Sequence, residues 1–433
     1  MKEIFTTKVF KFHHVHLSPE QSAYTKGHST ETLLVRIWND LLVASEEKSA
    51  TVVMLLDLSA AFDTVDHDLL LKILRTEIGL GGTVLRWFSS FLKGRLQRIR
   101  LGNTTSEAII IKFGVPQGSV LGPVLFNIYI RSIYLCVQRL GFKIFGYADD
   151  HQVLKIFKPK DQALVLSVQL ESCFKSIKSW MSSYFLQMND TKTQIIVFGP
   201  STILKDITLN GVILEGGTAI RFINTVKNLG IHMDSALTMN SHVINLKKKC
   251  FLTLRNLAKI RFLLTKSQLK TIVNSLVVSC LDYCNCLFYG ISSQLIHQLQ
   301  LIQNACAKAI TGKYKHDHLE DDLKDLHWLP IKRRIVFKIA LLSYKAVNGL
   351  SPMYLQEFFQ YSHHGHDPKL IVPFTPLKGY EDRSFSVIGP RIFNALPDTL
   401  KQSETVDLFK SSLKTFLFTL SDDEIRNLLN RKF

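Results

Sequence analysis

The alternation of apolar and polar positions predicts strands and helices in the first part of the chain. Residues 51–62, TVVMLLDLSAAF, begin as a nearly continuous apolar run, which is typical of a central strand buried on both faces. Helical spacing follows and predicts two helices that end near Gly79 and Gly94. Residues 95–114 alternate around GNTT, which predicts a hairpin, and residues 143–157 predict two short strands that meet at Ala-Asp-Asp.

Helical patterns become dominant further along. Residues 115–141 form a Gly/Pro-punctuated loop that leads into a long apolar helix, and residues 161–189 have amphipathic helical spacing. A strand is predicted at 192–199, and short strands with turns at Asn210-Gly211 and Gly216-Gly217 follow it. From about 241 onward the pattern is helical almost throughout. Strands with helices packed on one face, followed by a helical region, predict an α+β fold.

Composition and charge limit the classes of partner. The chain has 433 residues, of which 46% are hydrophobic and 21% charged, as in ordinary globular proteins. Its 53 Lys and Arg against 36 Asp and Glu leave a net charge of +17, which favours a polyanionic partner. No apolar run reaches the roughly 18–20 residues of a membrane span, and no signal peptide is evident. Nucleic acid is therefore favoured over a membrane surface.

The seven cysteines are irregularly spaced, which suits reduced thiols in the cytosol or nucleus. Cys280, Cys284 and Cys286 form a cluster in which two residues stand four apart, so that a metal could bind. No second pair or well-spaced histidine completes such a site. Buried small residues are therefore a better interpretation of the cluster than a zinc site.

Three acidic residues stand out as candidates for chemistry. Asp57 ends the predicted buried strand, and Asp149 and Asp150 lie at the tip of the predicted hairpin. An unpaired buried carboxylate is costly and adjacent carboxylates repel, and both problems disappear if the acids converge on divalent cations. The alternative is that Asp57 caps the next helix and the Asp-Asp pair forms an ordinary turn. Spacing alone favours neither interpretation.

Several longer segments resemble one family. VVMLLDLSAAFDTVDH, GVPQGSVLGPVLFNIYI, FGYADD and LQMNDTKTQIIVFG are similar to the ordered motif series of reverse transcriptases. QSAYTKGHSTETLL and HWLPIKRRIVFKIALLSYKAVNGLSPMYL resemble segments of jockey-type and chicken-repeat-type LINE retrotransposons, which lack long terminal repeats. The resemblance covers roughly residues 19–420. It identifies the chain as a member of the LINE-type reverse transcriptases.

The resemblance implies a right-hand polymerase with a palm, partial fingers, a helical thumb and a mostly helical C-terminal region. The domains it implies are an unassigned segment at 1–18, partial fingers at 19–50, fingers and palm at 51–240, a basic thumb-like region at 241–312, and the C-terminal region at 313–433.

The implied activity is RNA-directed DNA synthesis from dNTPs, with an RNA template and a DNA primer or target as partners. Two Mg²⁺ ions, with Mn²⁺ as an alternative, would be the cofactors. No membrane partner is implied, and the expected location is the nucleus or the cytoplasm. The alternative is an inactive relic that binds nucleic acid or serves as an interaction protein.

The resemblance also assigns roles to residues around the acids. Asp57 and Asp149 would bind the metals, Asp150 would be the third acid, and the Leu58 carbonyl would add a backbone ligand. Phe62 would be the steric gate that rejects the ribose 2′-hydroxyl, although an ordinary core aromatic is the alternative. Leu229-Gly230 would belong to a primer-gripping hairpin. The residues assigned to the incoming nucleotide are Gln117, Gly118, Asn189 and Lys192.

Basic residues are candidates for nucleic-acid contacts. The stretch 241–270 contains eight Lys and Arg and no acid, which favours phosphate binding over a merely solvated face. Arg95, Arg98 and Arg100 are expected to share one face of a strand, toward the template. The candidates in the basic stretch are Lys247, Lys248, Lys249, Arg255, Lys259 and Arg261.

The sequence also departs from the family pattern. His151 stands where the family usually has Thr, and Gln194 stands where it usually has an acid. A fingers segment with a YRP motif usually precedes QSAY, with an endonuclease domain further upstream, and residues 1–18 do not resemble the former. The expectation is therefore a chain shortened at its N-terminal end, with poor polymerase activity because triphosphate positioning is weakened.

Overall fold

A computed structural model describes residues 18–189, 192–213, 219–313, 317–362, 369–375, 379–421 and 423–425. The strands are β1 (Ala50–Leu56), β2 (Leu58–Ser59), β3 (Leu96–Gln97), β4 (Arg100–Leu101), β5 (Thr104–Thr105), β6 (Ile109–Ile110), β7 (Lys143–Tyr147), β8 (Asp150–Phe157), β9 (Gln187–Met188), β10 (Gln194–Phe198), β11 (Gly211–Ile213), β12 (Ala219–Arg221), β13 (Thr225–Asn228) and β14 (Ile231–Asp234).

The α-helices alternate with these strands at first and then succeed one another. They are α1 (Thr30–Glu46), α2 (His67–Thr76), α3 (Gly82–Leu92), α4 (Gly122–Tyr129), α5 (Ser132–Arg139), α6 (Leu170–Ser183), α7 (Ser201–Lys205), α8 (Asn240–Ile260), α9 (Lys266–Val273), α10 (Ser279–Asp282), α11 (Ser293–Thr311), α12 (Glu320–Asp325), α13 (Ile331–Val347), α14 (Met353–Gln356), α15 (Phe385–Ala395), α16 (Asp398–Lys401) and α17 (Val406–Thr419).

The chain divides into two compact units. The first unit comprises the chain up to His28, Val52–Ile196 and Ile207–Ile223. The second comprises Ser29–Thr51, Val197–Asp206 and the chain from Asn224 onward. The mixture of strands and helices agrees with the predicted α+β class. The segment 19–50, which the family resemblance treats as one piece, is divided between the two units at Ser29.

A four-stranded sheet in the order β10-β1-β8-β7 forms the framework of the first unit. β1 lies inside this sheet, and six of its seven residues are buried, as the continuous apolar run predicts. β7 and β8 are antiparallel, with Tyr147 opposite Asp150, so that Ala148 and Asp149 form a two-residue turn. The prediction of two short strands meeting at Ala-Asp-Asp is confirmed.

Helices cover the sheet and extend the first unit. α2 packs against α3 and α4, and α5 packs against α6 and β7. The prediction of one long apolar helix within residues 115–141 is wrong in one respect. The structure has two helices there, α4 and α5, which are separated at Ile130-Arg131. The carbonyl of Phe126 accepts the N–H of Ile130, and that of Ile128 accepts the N–H of Arg131, so a tight turn separates the helices.

The hairpin predicted at 95–114 is present but interrupted. β3 pairs with β6, and β4 pairs with β5 around Gly102-Asn103. The expectation that Arg95, Arg98 and Arg100 share one face of a single strand is wrong. Arg95 precedes β3 and Arg98 lies between β3 and β4, so the alternation on which the expectation rested does not run through all three.

The second unit is mostly helical. Its N-terminal helix α1 begins at a capping box, in which Ser29 accepts the N–H of Thr32 and Thr32 accepts the N–H of Ser29. α1 packs against α15, and the side chain of Asn39 accepts the N–H of Ser386. α13 packs against α15 and α17, and α8 packs against α11 and β14. In the part of the chain that the structure describes, no helix is long and apolar enough to cross a membrane.

Candidate functional site

Asp57 follows β1 directly, where the chain leaves the four-stranded sheet. Its backbone carbonyl accepts the N–H of Asn189 at 3.0 Å, at the start of a short antiparallel ladder between β2 and β9. In such a ladder, hydrogen-bonded and non-hydrogen-bonded pairs alternate. Leu58, opposite Met188, therefore occupies a non-hydrogen-bonded position, and its carbonyl points away from β9.

Asp149 and Asp150 lie at the turn between β7 and β8, in the same unit as Asp57. Partial burial raises the pKa of the Asp150 carboxyl, and the negative charges of Asp149 and Asp57 raise it further. The three acids are therefore close enough for their charges to interact. Their convergence on a divalent cation stays a prediction.

The acids are a suitable donor set for a divalent cation. Carboxylate and carbonyl oxygens are the ligands that Mg²⁺ prefers, and three gathered negative charges are stabilised by a cation. Lys192 supplies one positive charge, since its Nζ lies 3.6 Å from the Asp57 carboxylate. Among the described residues, no three acidic, histidine or cysteine side chains already form a closed metal-binding group. The chemistry of these oxygen donors fits a divalent cation.

Phe62 lies on the loop that follows Asp57. Its ring stacks on the buried ring of Phe126, with centroids 4.2 Å apart and planes inclined by 22°. Its backbone carbonyl accepts the N–H of Val115 at 2.9 Å. Phe62 is half-buried. The stack on Phe126 holds its ring in a defined orientation.

The loop that carries Gln117 packs against the loop after Asp57. The side-chain amide of Gln117 donates to both carboxylate oxygens of Asp63, at 3.0 and 3.2 Å. Gly114 adopts φ +88°, and a Cβ there would lie 2.9 Å from the Asp63 carbonyl oxygen. Gly118 also has a positive φ of +77°, with no atom within 4 Å of where a Cβ would lie. Gln117 would have to leave Asp63 to contact a nucleotide.

Asn189 and Lys192 lie next to Asp57 through the β2–β9 ladder. The side-chain oxygen of Asn189 accepts the backbone N–H of Lys192 at 3.2 Å. The Lys192 and Asp57 side chains are 67% and 39% exposed, so their ion pair contributes little stability. Lys192 is therefore free to exchange its carboxylate partner for a more strongly charged one.

The predicted primer-gripping residues lie in the second unit, at the turn between β13 and β14. Leu229 has φ +44° and Gly230 has φ +89°, as a tight turn between adjacent strands requires. The Tyr283 hydroxyl donates to the Leu229 carbonyl at 2.5 Å. Tyr283 was not singled out by its sequence context, and it holds this turn in shape.

The basic residues of α8 are not equivalent. Lys248, Arg255 and Lys259 are exposed and recur at helical spacing on one face, opposite the buried Val243, Leu246, Cys250, Leu254 and Leu257. Lys247 and Lys249 flank this face. Arg261 lies beyond the end of α8, and its guanidinium approaches Gly312 at the end of α11. We call Lys248, Arg255 and Lys259 the basic stripe.

The cysteine cluster of the second unit consists of thiols packed into the interior. Cys284 and Cys286 are buried, and burial raises the pKa of both thiols. The Cys286 sulfur lies 3.8 Å from a carboxylate oxygen of Glu31. A thiol that burial keeps protonated is a poor metal ligand.

Two residues beside the acids were missed as site residues by sequence reasoning. Gln21 and Tyr24 lie in the QSAY segment, which resembles the family without indicating a role for either residue. Partial burial raises the pKa of Tyr24, and the charge of Asp149 raises it further, so this ring lies near the turn. The Gln21 side chain hydrogen-bonds to Ala148 in the turn itself.

The sequence matches the profile of one known protein family. A family profile described as reverse transcriptase (RNA-dependent DNA polymerase) matches residues 3–233, which is more than half of the chain. The chain belongs to the reverse transcriptase family.

The relatives narrow this class to mobile elements. The probable RNA-directed DNA polymerase from transposon BS of Drosophila melanogaster is 26% identical over 314 residues, covering 68% of this chain and 33% of that protein. The RNA-directed DNA polymerase from mobile element jockey of the same species is 28% identical over 320 residues, covering 71% and 33%. The resemblance to LINE-type reverse transcriptases is confirmed. The chain spans about a third of the length of these relatives.

Among solved structures, telomerase from Candida albicans in complex with a fragment of telomeric RNA is similar to this chain. The sequences are 14% identical, and the match covers 97% of this chain and 58% of that one with a TM-score of 0.44. A likeness at this score does not define the fold by itself.

Gly114→Ala is expected to lower the free energy of unfolding by about 1–3 kcal/mol, because the new methyl group meets the Asp63 backbone in a left-handed conformation. Urea denaturation measures the change. Gly102→Ala is the matched control, since Gly102 also has a positive φ, of +59°, but no atom within 4 Å of a new Cβ. Equal losses in the two variants would contradict the importance of the close approach.

Proposed function

We propose that this chain is an RNA-directed DNA polymerase that transfers nucleotides from dNTPs to a primer 3′-hydroxyl on an RNA template. The observation that carries the proposal is the gathering of Asp57, Asp149 and Asp150 in one unit, close enough to raise the pKa of Asp150. Acids that serve only as solvated surface residues would not have to lie near one another. Family membership and the names of the mobile-element relatives support the same activity.

In this proposal, Asp57, Asp149 and the Leu58 carbonyl would hold two Mg²⁺ ions, or Mn²⁺ ions, with Asp150 as the third acid. The bound metals would stabilise negative charge on the reacting phosphate oxygens. The primer 3′-hydroxyl loses its proton to solvent water, its oxygen forms a bond to the α-phosphorus, and the bond from the α-phosphorus to the β-phosphate oxygen breaks, so that pyrophosphate leaves. The chain's own contribution is to hold these groups in line.

Lys192 and Gln117 have partners that a nucleotide could replace. Metal binding would neutralise Asp57 and release Lys192, 3.6 Å away, toward the negative pyrophosphate. Gln117 would exchange Asp63 for the nucleotide, and Gly118 leaves open space beside it. Asn189 orients Lys192 through its backbone N–H.

The right-hand arrangement follows from these assignments. We assign 19–50 to partial fingers, 51–240 to fingers and palm, with the four-stranded sheet and its acids in the palm, and 241–312 to the thumb. Helix α8, which carries the basic stripe, is then the thumb helix that binds the phosphates of the template–primer duplex. The hairpin with Arg95, Arg98 and Arg100 presents basic side chains to the template, of which Arg98 and Arg100 are exposed. Residues 313–433 form the C-terminal region.

Asp149→Asn is expected to reduce primer extension by roughly 100-fold or more, because the developing phosphate charge loses its metal ligand. Stability and duplex affinity should remain near those of the parent, since one of three repelling carboxylates is removed. Primer extension by purified protein on an RNA template measures the rate.

Asp68→Asn is the matched control for this variant, because Asp68 is an exposed acid of the same unit on α2. Extension by Asp149→Asn at the rate of Asp68→Asn would refute the metal-binding role of the turn. If the parent itself does not extend primers but binds template–primer duplex, the chain is an inactive nucleic-acid-binding protein instead.

Phe62→Val is expected to admit ribonucleotides, because removing the ring that stacks on Phe126 opens space beside the sugar. The measured quantity is the ratio of kcat/KM for dNTPs to that for rNTPs, which should fall by at least about tenfold, or 1.4 kcal/mol of discrimination. Phe62→Tyr retains the bulk of the ring and should retain the ratio. An unchanged ratio in the valine variant would make Phe62 an ordinary packing residue.

Changing all three residues of the basic stripe to Gln is expected to weaken duplex binding and its dependence on salt. Each lost phosphate contact should lower the slope of log affinity against log salt by about 0.9, so that the triple variant loses up to about 2.7. The matched control changes three exposed lysines of other elements, Lys72, Lys205 and Lys324, to Gln. Equal slopes for the two triple variants would place the stripe outside the interface.

A further inference from the structure

The turn that carries the acids is conformationally unfavourable. Ala148 has φ +58°, in the left-handed region that a Cβ disfavours, and it stands between Tyr147 and Asp149 in a two-residue hairpin turn. Gly or Asn ordinarily occupies such a position. Something other than the intrinsic preference of alanine must therefore stabilise this turn.

Gln21 makes hydrogen bonds to both backbone groups of Ala148. Its Oε1 accepts the Ala148 N–H at 3.0 Å, and its Nε2 donates to the Ala148 carbonyl at 3.0 Å. Oε1 also accepts the N–H of Ala23 at 3.0 Å. Two N–H groups thus face the oxygen and one carbonyl faces the nitrogen, so only one orientation of the amide satisfies all three.

The backbone around Gln21 is itself fixed beside the turn. Ser22 donates its N–H to the Gly146 carbonyl at 2.8 Å, and Gly146 donates to the Glu20 carbonyl at 3.0 Å. Gln21 is 3% exposed, so its hydrogen bonds are shielded from water. A buried amide held in place before any ligand binds is well suited to positioning its neighbours.

We propose that Gln21 is a positioning residue that locks the left-handed turn at Ala148 and thereby presents Asp149 and Asp150 in a fixed orientation. The expected effect of Gln21 on turnover rests on the proposed polymerase function. Its expected effect on the conformation of the turn does not. Gln21 touches neither a metal nor a substrate in this assignment. It acts through the backbone of the turn.

The neighbouring His151 also bonds to the turn. Its Nδ1 lies 3.0 Å from the Asp149 carbonyl, and its Nε2 lies 3.3 Å from the hydroxyl of the buried Tyr134. The carbonyls of both turn residues thus have side-chain partners, Gln21 for Ala148 and His151 for Asp149. Of the two side chains, Gln21 alone bonds both the N–H and the carbonyl of the strained residue.

The central variant is Gln21→Met, which retains the volume of the side chain and removes all three hydrogen bonds. Hydrogen–deuterium exchange of peptides covering residues 146–151 should become faster, while exchange elsewhere in the first unit stays near that of the parent. In primer extension, kcat should fall by about 100-fold with a smaller change in KM, because misplacement of reacting groups affects turnover.

The Ala148→Gly substitution tests the mechanism, because glycine adopts a positive φ without the steric cost. In the Ala148→Gly background, Gln21→Met should lower kcat and accelerate exchange by a smaller factor than in the parent background. Gln138→Ala is the control, since Gln138 is an exposed glutamine that donates to the side chain of Glu20, adjacent to Gln21. It should leave exchange of the turn and kcat unchanged.

The outcomes separate this proposal from the proposed function. Unchanged exchange at 146–151 in Gln21→Met, or equal factors in the two backgrounds, would overturn the positioning role. If the parent does not extend primers, the polymerase function fails, but the exchange measurement still decides whether Gln21 holds the turn. If Gln21→Met does not fold, Gln21→Asn replaces it, because its shorter amide cannot reach both groups of Ala148 and should give the same faster exchange.

Discussion

The mutual repulsion of three carboxylates is the constraint on which the rest of the site depends. Asp57, Asp149 and Asp150 come from a strand end and a hairpin turn, and the pKa of Asp150 is raised by partial burial and further by the charges of Asp149 and Asp57. Like charges separate unless the backbone that carries them is held firmly. The buried strand β1 and the pairing of β7 with β8 supply this rigidity, because both lie in one four-stranded sheet.

The loops around the acids are held by close backbone approaches rather than by large side chains. The segment after Asp57 turns at Ala60, with φ +47°, and then bonds to the segment 113–115 through Phe62 and Val65. Gly114 permits this approach because it has no Cβ. The consequence is that the loop carrying Gln117 is held against the loop carrying Phe62, although the two come from separate parts of the sequence.

Elements whose formation depends on neighbouring residues could be predicted from the sequence. The apolar run before Asp57 predicted β1, and the Ala-Asp-Asp tip predicted the hairpin of β7 and β8, because strand burial and turn chemistry leave direct traces in sequence. The arginines of the 95–114 hairpin were misassigned, because Arg95 and Arg98 are three positions apart and would face opposite sides even of a continuous strand. The metal-binding role predicted for the three acids rests on the ordered motif series. The spacing of the acids alone could not distinguish that role from a helix cap and an ordinary turn.

The part that could not be predicted consists of contacts between distant segments. Gln21 and Ala148 are separated by 127 positions, and nothing in the composition of QSAY indicates a partner in YADD. The segment that begins with QSAY serves two structural purposes. Its first residues secure the turn of the first unit, whereas Ser29 and Thr32 cap the first helix of the second unit. A single run of residues in one motif can therefore contribute to two compact units. Its division at Ser29 reflects contacts with distant parts of the chain, which similarity along the sequence does not contain.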